Sequence, residues 1–405
     1  MASLFSSNQY AFSRNVLMPQ EEKLETGKKH QKLIIGIPKE EDENESRISL
    51  TPFAVEQLVN YGHAVIIERG AGLKANFSDT EYSEVGAIIA NSKKEVLQCD
   101  IIIKVSPLSD EEIEGLKGNQ IVFTTLHYLL QERKYFDKLQ QKKITAFAFE
   151  YIQDLNNCYT IVRSMSEIAG STSILIAAEY LSNVHNGKGE LLGGITGVNS
   201  TKVVILGAGT AGEFAARTAL GLGANVKVFD HSAYRLRRLH NNIGHRLNSA
   251  LIQPRLIAKS LKTADVVIGA IRIEENQHFF ISEDIVKQMK KNAVIVDISI
   301  DQGGCFETSH ITTHKNPVFQ KHGVIHYCVP NIPSRVARTA SYAISNIFAP
   351  LLLELADAGS LNNMLKDNQG FRNGIYLYNG ILTKSFIGNR FDIPSKDINL
   401  LLAAF

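Results

Sequence analysis

Three glycines and one carboxylate carry the clearest chemical signal in the chain. In the segment KVVILGAGTAGEFAARTALGLGANVKVFD, residues 202–230, Gly207, Gly209 and Gly212 stand at G-x-G-x-x-G spacing, directly after an apolar, β-branched run and at the start of a helical pattern. Gly207 permits a tight turn, Gly209 lets the backbone approach a pyrophosphate with no Cβ in the way, and Gly212 allows close helix packing. Ala208, Thr210 and Ala211 complete the loop, whose N–H groups would face phosphate oxygens. Asp230 closes the next strand pattern at roughly twenty residues' distance, where a carboxylate accepts the adenosine ribose hydroxyls and repels a 2′-phosphate. The expected ligand is therefore NAD rather than NADP. A tight strand-to-helix turn with no ligand would use the same glycines. Arg235, Arg237 and Arg238 follow on the next helical pattern, either as a solvated basic face or as a cofactor contact, for which Arg235 is the candidate.

Other reactive side chains fall at the ends of apolar runs. Lys104 lies in the otherwise apolar pattern 101–105, where a cation is costly without a partner, and its bland reading is a lysine snorkelling from a strand end. Arg47 follows a polar, acidic loop, where a surface salt bridge to Glu43 or Glu45 is the alternative. His127 stands just past 121–124. Histidine is a residue type suited to proton transfer, although a lone histidine is more often structural. Asp301 is placed on a turn before Gly303 and Gly304, and its rival Asp297, within the apolar run 293–298, reads as a hydrogen-bonded structural aspartate. Asn331 has the form of a turn residue before Pro333, and Ser166 that of a helix N-cap.

These residues need strands to present them. Short apolar runs at 33–37, 64–68, 101–105, 121–124 and 145–149, with a helix at 52–61, predict one sheet. The runs at 266–271 and 293–298 complete a second sheet begun at 203. Helices at 166–184 and 336–358 connect the two. The expected fold is α/β, with two doubly wound Rossmann-like domains, a cleft between them and the first domain discontinuous. Residues 31–160 plus 340–405 would form a substrate domain, 161–339 an NAD-binding domain, and 1–30 a flexible extension; the tail 361–405 would pack against 31–160.

A chain of 405 residues, 44% hydrophobic and 21% charged, is long enough for two full cores. Its formal charge of +2 offers no field for nucleic acid or an anionic membrane, so a small-molecule partner is expected. Cysteines 99, 158, 305 and 328 show no metal-ligand spacing, which reads as reduced thiols in a reducing, cytoplasmic setting with no metal site. The first thirty residues lack the apolar core of a secretory signal, and no run of about eighteen apolar residues suggests a membrane span.

The motifs IGIPKE with ESRISLTP, DIIIKV, FTTLHY, MSEIAG, LGAGTAG and VDISIDQGGCFE, in that order over residues 32 to 390, resemble the alanine dehydrogenase family and its relative, the soluble NAD-binding subunit of proton-translocating transhydrogenase. The resemblance implies NAD-dependent, reversible oxidative deamination of L-alanine to pyruvate and ammonia by a homohexamer. It also implies that Arg47 and Lys104 hold the substrate carboxylate, His127 is the acid/base group and Asp301 is the second carboxylate. Asn331 would lie near nicotinamide and substrate, and Ser166 would bond a cofactor phosphate or ribose. Two departures bear on pocket shape: Ser106 precedes Pro107 where the family has a K-E-P-type segment, and Thr125 replaces a common tyrosine. Alternatives are a dehydrogenase of another small amino acid or a lysine-pathway substrate, a transhydrogenase-like subunit, and a catalytically silent NAD sensor.

Overall fold

The structure, a computed structural model, describes residues 31–244, 247–271 and 280–403; the extension expected at 1–30 lies outside them. In chain order the strands are β1 (Ile34–Ile37), β2 (Ala64–Glu68), β3 (Ile88–Ala90), β4 (Ile101–Ile103), β5 (Ile121–Thr124), β6 (Thr145–Ala148), β7 (Lys202–Leu206) and β8 (Asn225–Asp230). They continue with β9 (Asn248–Leu251), β10 (Val266–Gly269), β11 (Val294–Asp297), β12 (Val318–Lys321), β13 (Val324–Tyr327), β14 (Ile375–Tyr378) and β15 (Ile381–Leu382). They form two sheets, ordered β15-β14-β6-β5-β4-β1-β2-β3 and β12-β13-β11-β10-β7-β8-β9.

Both sheets have the same plan. The chain enters at a central strand, winds outward to one edge, then returns to the other side of the first strand. This leaves a switch point between β1 and β4 and another between β7 and β10. Pairing around both points is parallel, so the strand carboxyl ends line one edge of each sheet. Runs such as Ile101–Ile103 and Val294–Asp297 are buried throughout, as expected of strands covered on both faces.

Some elements differ from expectation. The second sheet does not end at residue 298, because β13 adds a further parallel strand and β12 an antiparallel edge. The edge strand β9, with sequence NSAL and no buried residue, carries too little apolar signal to be read. The C-terminal strands β14 and β15 join the first sheet, and Leu352, Phe371 and Leu401 share a core with Ile35, Val65 and Phe123.

The helix expected from 166 spans Thr160–Leu181, starting six residues early. Its first turn, Thr160-Ile161-Val162-Arg163, is β-branched and carries no side-chain cap, so nothing local marks its beginning. Gly170 lets this helix cross closely over Thr210–Gly221, since a Cβ there would lie 2.2 Å from the Ala211 carbonyl oxygen. The second long helix, Ala337–Asp357, follows a 3-10 turn at Ile332–Val336. The stretch Ile332–Asp357 is long and apolar enough by composition to cross a bilayer, but half of its apolar window is buried, and Ile344, Phe348 and Leu352 face the core of the first sheet.

Candidate active site

The loop between β1 and the helix Pro52–Asn60 passes over the first switch point and supplies Glu40, Glu45 and Arg47. Arg47 is 8% exposed and Glu45 3%. Arg47 Nε donates to Glu45 Oε1 at 2.8 Å, Nη2 to Oε2 at 2.5 Å and Nη1 to Met165 Sδ at 3.3 Å. The salt bridge weighed from the sequence is thus present, but as a buried fork rather than a surface pair. Asn331, from beyond β13, donates its Nδ2 to Glu45 Oε2 at 2.9 Å. Burial alone would raise the Glu45 carboxyl, yet the Arg47 charge and these hydrogen bonds hold it below the ordinary range. The same loop is sewn to the second half by Ser46 N–H to Ser334 Oγ, 2.7 Å, and by His314 N–H to Asn44 Oδ1, 3.3 Å. It also meets the helix Ala337–Asp357 through Ile48 N–H to Ser341 Oγ, 2.9 Å.

Lys104, directly past β4, is 3% exposed and donates to Glu112 Oε2 at 2.7 Å; Glu112 is 1% exposed. It is therefore an internal ion pair and not a snorkelling strand-end lysine. Glu112 is held by the capping box of the helix Asp110–Gly115, its Oε2 accepting the Ser109 N–H at 2.8 Å, and Lys93 approaches its other oxygen at 3.2 Å. Glu112→Ala would leave Lys104 buried without its carboxylate. The expected loss of stability is about 3–5 kcal/mol by chemical denaturation, against less than about 1 kcal/mol for Lys93→Ala, whose ammonium is partly solvated.

Glu40 closes the other side of this turn. Its Oε1 accepts the Val105 N–H at 2.6 Å, and its Oε2 accepts the Ser106 N–H at 3.3 Å and the Ser106 hydroxyl. The serine that departs from the family pattern is thus a Glu40 partner. Burial pushes the Glu40 carboxyl up to about 7, opposed by Lys104 and reinforced by Glu45. Because this folded-state value exceeds the ordinary 4.5, its contribution to stability is full below pH 4.5 and is lost as pH rises through about 7. The change is about 3 kcal/mol. Melting temperature against pH should fall over that window in the parent protein and fall less in Glu40→Gln. A residual slope should persist up to about pH 6 from buried Asp297, which burial shifts the same way.

His127 follows β5, the strand beside β4. It is exposed and left-handed, with φ 45° and ψ 51°. The N–H groups of Leu126 and His127 both donate to Glu150 Oε1, at 2.8 and 3.1 Å.

On the second sheet, Gly207 has φ 107° and a Cβ there would meet the Ala270 carbonyl oxygen at 2.4 Å, so the turn itself requires glycine. A Cβ on Gly212 would lie 1.9 Å from the Gly207 carbonyl oxygen. Gly209 differs: its φ is −73° and a Cβ there would meet nothing within 4 Å, so no protein contact demands glycine at that position. Asp230 Oδ2 accepts the Ala208 N–H and Oδ1 the Ser232 N–H, each at 2.7 Å. Of the three arginines beyond it, Arg238 is the one brought to the turn, with Nη2 donating to the Ala208 carbonyl at 3.2 Å; Arg235 is exposed. Asp297 is fully buried, accepts from Cys305 N–H at 2.7 Å and Ser309 Oγ at 2.8 Å, and is raised by burial to about 6. Asp301 is exposed on the 3-10 turn Ile298–Gln302. Ser166 is not an N-cap: it lies inside the helix begun at Thr160, and its hydroxyl donates back to the Val162 carbonyl at 2.8 Å.

Arg47 and Asn331 are thus linked through Glu45, Lys104 is paired with Glu112, and His127 stands one strand away from Lys104. Asp301 and the glycine turn belong to the second sheet. Sequence reading passed over Glu40, Glu112 and Glu150. Their signal was a carboxylate within three residues of a buried strand or a helix start, which becomes informative only once the neighbouring strand is known.

Models of the alanine dehydrogenase/PNT N-terminal and C-terminal domains match residues 36–169 and 173–385. Alanine dehydrogenase of Staphylococcus saprophyticus is 41% identical over 372 residues, 91% of this chain and 100% of its own. The Bacillus subtilis enzyme of the same name is 41% identical over 354 residues, 87% and 93%. A solved L-alanine dehydrogenase superposes with a TM-score of 0.84 at 34% identity, covering 89% of this chain and 100% of that one. A transhydrogenase from Sinorhizobium meliloti, at 23% identity and a TM-score of 0.73 over 86% and 98%, shares the fold.

Proposed function

The chain belongs to the alanine dehydrogenase/PNT family, and we propose that within it the protein catalyses the reversible, NAD-dependent oxidative deamination of L-alanine to pyruvate and ammonia. The observation that supports this reading is the buried link from Arg47 through Glu45 to Asn331, which sets a cation suited to binding a carboxylate beside the segment that follows β13 of the second sheet.

The glycine turn suits a dinucleotide. Gly209 leads into the helix Thr210–Gly221 with no side-chain cap, leaving its first N–H groups to anionic oxygens, and the open space at its Cα is what a pyrophosphate needs. Asp230 stands where ribose hydroxyls would be accepted, and Ser166, Thr210, Ala211, Asp301 and Asn331 complete the proposed contacts. Bound NAD+ supplies the hydride acceptor.

Arg47 retains N–H groups beyond its fork to Glu45, and Lys104 has three donors of which Glu112 takes one strongly; together they would anchor the substrate carboxylate. His127 would take a proton from the water that attacks the imine carbon and return it to the departing amine. Asp301 would orient that water or the amino group. Closure of the two sheets' edges would exclude bulk water and protect the imine. In this reading residues 31–160 with 340–405 bind substrate and 161–339 bind NAD. The protein works as a homo-oligomer, for which exposed Leu175, Leu191, Ile195 and Val198 offer apolar surface, in a cytoplasm that keeps its four free thiols reduced.

A steady-state assay of NADH formation against a panel of amino acids tests the reading. L-alanine should give the highest kcat/KM, with pyruvate plus ammonia consuming NADH in reverse; a preference for a lysine-pathway substrate, or no turnover with any amino acid, would overturn it.

A further inference from the structure

We infer that Glu40 and Glu150 are positioning residues, each using a carboxylate oxygen to hold the turn that carries Lys104 or His127. The inference rests on the roles proposed above for those two residues. The placements mirror one another. Glu40, just past β1, reaches sideways to the turn after adjacent β4 and accepts the N–H groups of Val105 and Ser106. Glu150, just past β6, reaches to the turn after adjacent β5 and accepts those of Leu126 and His127 through one oxygen.

Both turns need such an acceptor. Past the ends of β4 at Ile103 and β5 at Thr124, the Lys104 and Thr125 N–H groups still meet the Phe123 and Val105 carbonyl oxygens, but those of Val105, Ser106, Leu126 and His127 meet Glu40 and Glu150 in place of a strand neighbour. At His127 the demand is greater, because its left-handed φ of 45° is uncommon for a residue with a Cβ and persists only where the surroundings enforce it. Glu150 has only this anchoring role in evidence: its Oε2 is buried with no hydrogen-bond partner among the described residues. Its charge is felt by the hydroxyls of Tyr135 and Tyr376, which lie 3.5 Å apart in a core that includes Phe136, Ala148 and Leu377. Its bonded oxygen thus meets the backbone of the proposed acid/base residue, while the other oxygen is buried.

A positional error of about 1 Å at a reacting group can cost about 100-fold in rate, so the two glutamates should affect different constants. Glu150→Met should lower kcat by about 10–100-fold while leaving the pyruvate KM within about twofold. Glu40→Met should raise the pyruvate KM by about tenfold or more with a smaller change in kcat. Gln at either position keeps an oxygen that accepts the same N–H groups and should restore most of the loss. If a Met variant does not fold by melting analysis, the Asp variant, with its carboxylate retracted by one methylene, is read in its place and should show the same split. Folded variants with unchanged constants, or Gln variants as impaired as Met, would overturn the inference. Lys104→Met and His127→Asn, assayed in parallel, separate the two layers. If they lose KM and kcat while the glutamate variants do not, positioning alone fails; if they keep parental constants, the site reading fails first.

Discussion

His127→Asn is expected to lower kcat for alanine oxidation by about 10²–10⁴-fold, the range for removing a general acid/base, while the pyruvate KM moves little. Asparagine is the informative replacement because it adopts the left-handed backbone readily, so the change removes the imidazole and leaves the turn at φ 45° intact. Alanine would combine the loss of the base with a backbone penalty. Binding should survive because the proposed carboxylate contacts, Arg47 and Lys104, lie beyond β1 and β4 and not on the β5 turn. Stopped-flow single turnovers would show the loss in the proton-dependent step. A variant that retained parental kcat would remove His127 from the chemistry.

Gly209→Val and Gly212→Ala should separate cofactor binding from folding. A Cβ on Gly209 meets no protein atom within 4 Å and its backbone suits any L-residue, so the valine variant should melt as the parent does. Its branched side chain would occupy the space proposed for the pyrophosphate, and NADH affinity should fall by roughly 100-fold or more, about 2.7 kcal/mol. Gly212→Ala instead drives a methyl to 1.9 Å from the Gly207 carbonyl oxygen, so the turn must open; both NADH affinity and stability should drop, the latter by about 2 kcal/mol or more. NADH fluorescence titration with parallel melts reads both. Tight NADH binding by the valine variant would place the dinucleotide elsewhere.

The difference between what the sequence discloses and what it hides follows the range of the interactions. Buried parallel strands are contiguous apolar runs, and the glycine turn is compact, so β1, β2, β4, β5, β7, β10 and β11 and Gly207, Gly209 and Gly212 are all visible locally. Asp297 and Asp301 are four residues apart, yet their different burial follows from the strand's end and is readable as well. The partners of the cations are not. Glu45 meets Asn331 across 286 residues and Glu40 meets Val105 across 65, and no local pattern encodes such pairs. The start of the helix at Thr160 is hidden because it has no cap, and this made Ser166 look like one. That Arg238 reaches the Ala208 carbonyl depends on which helix face turns towards the glycine turn, a packing outcome rather than a spacing.

In the proposed reaction the cations of one sheet edge and the dinucleotide of the other meet over a single substrate. A crystal structure of the ternary complex with NADH and pyruvate tests it most directly. The keto-acid carboxylate should lie on Arg47 and Lys104, with its carbonyl carbon beside the His127 imidazole and facing the nicotinamide. Pyruvate bound away from those three side chains, or a nicotinamide turned from them, would contradict it.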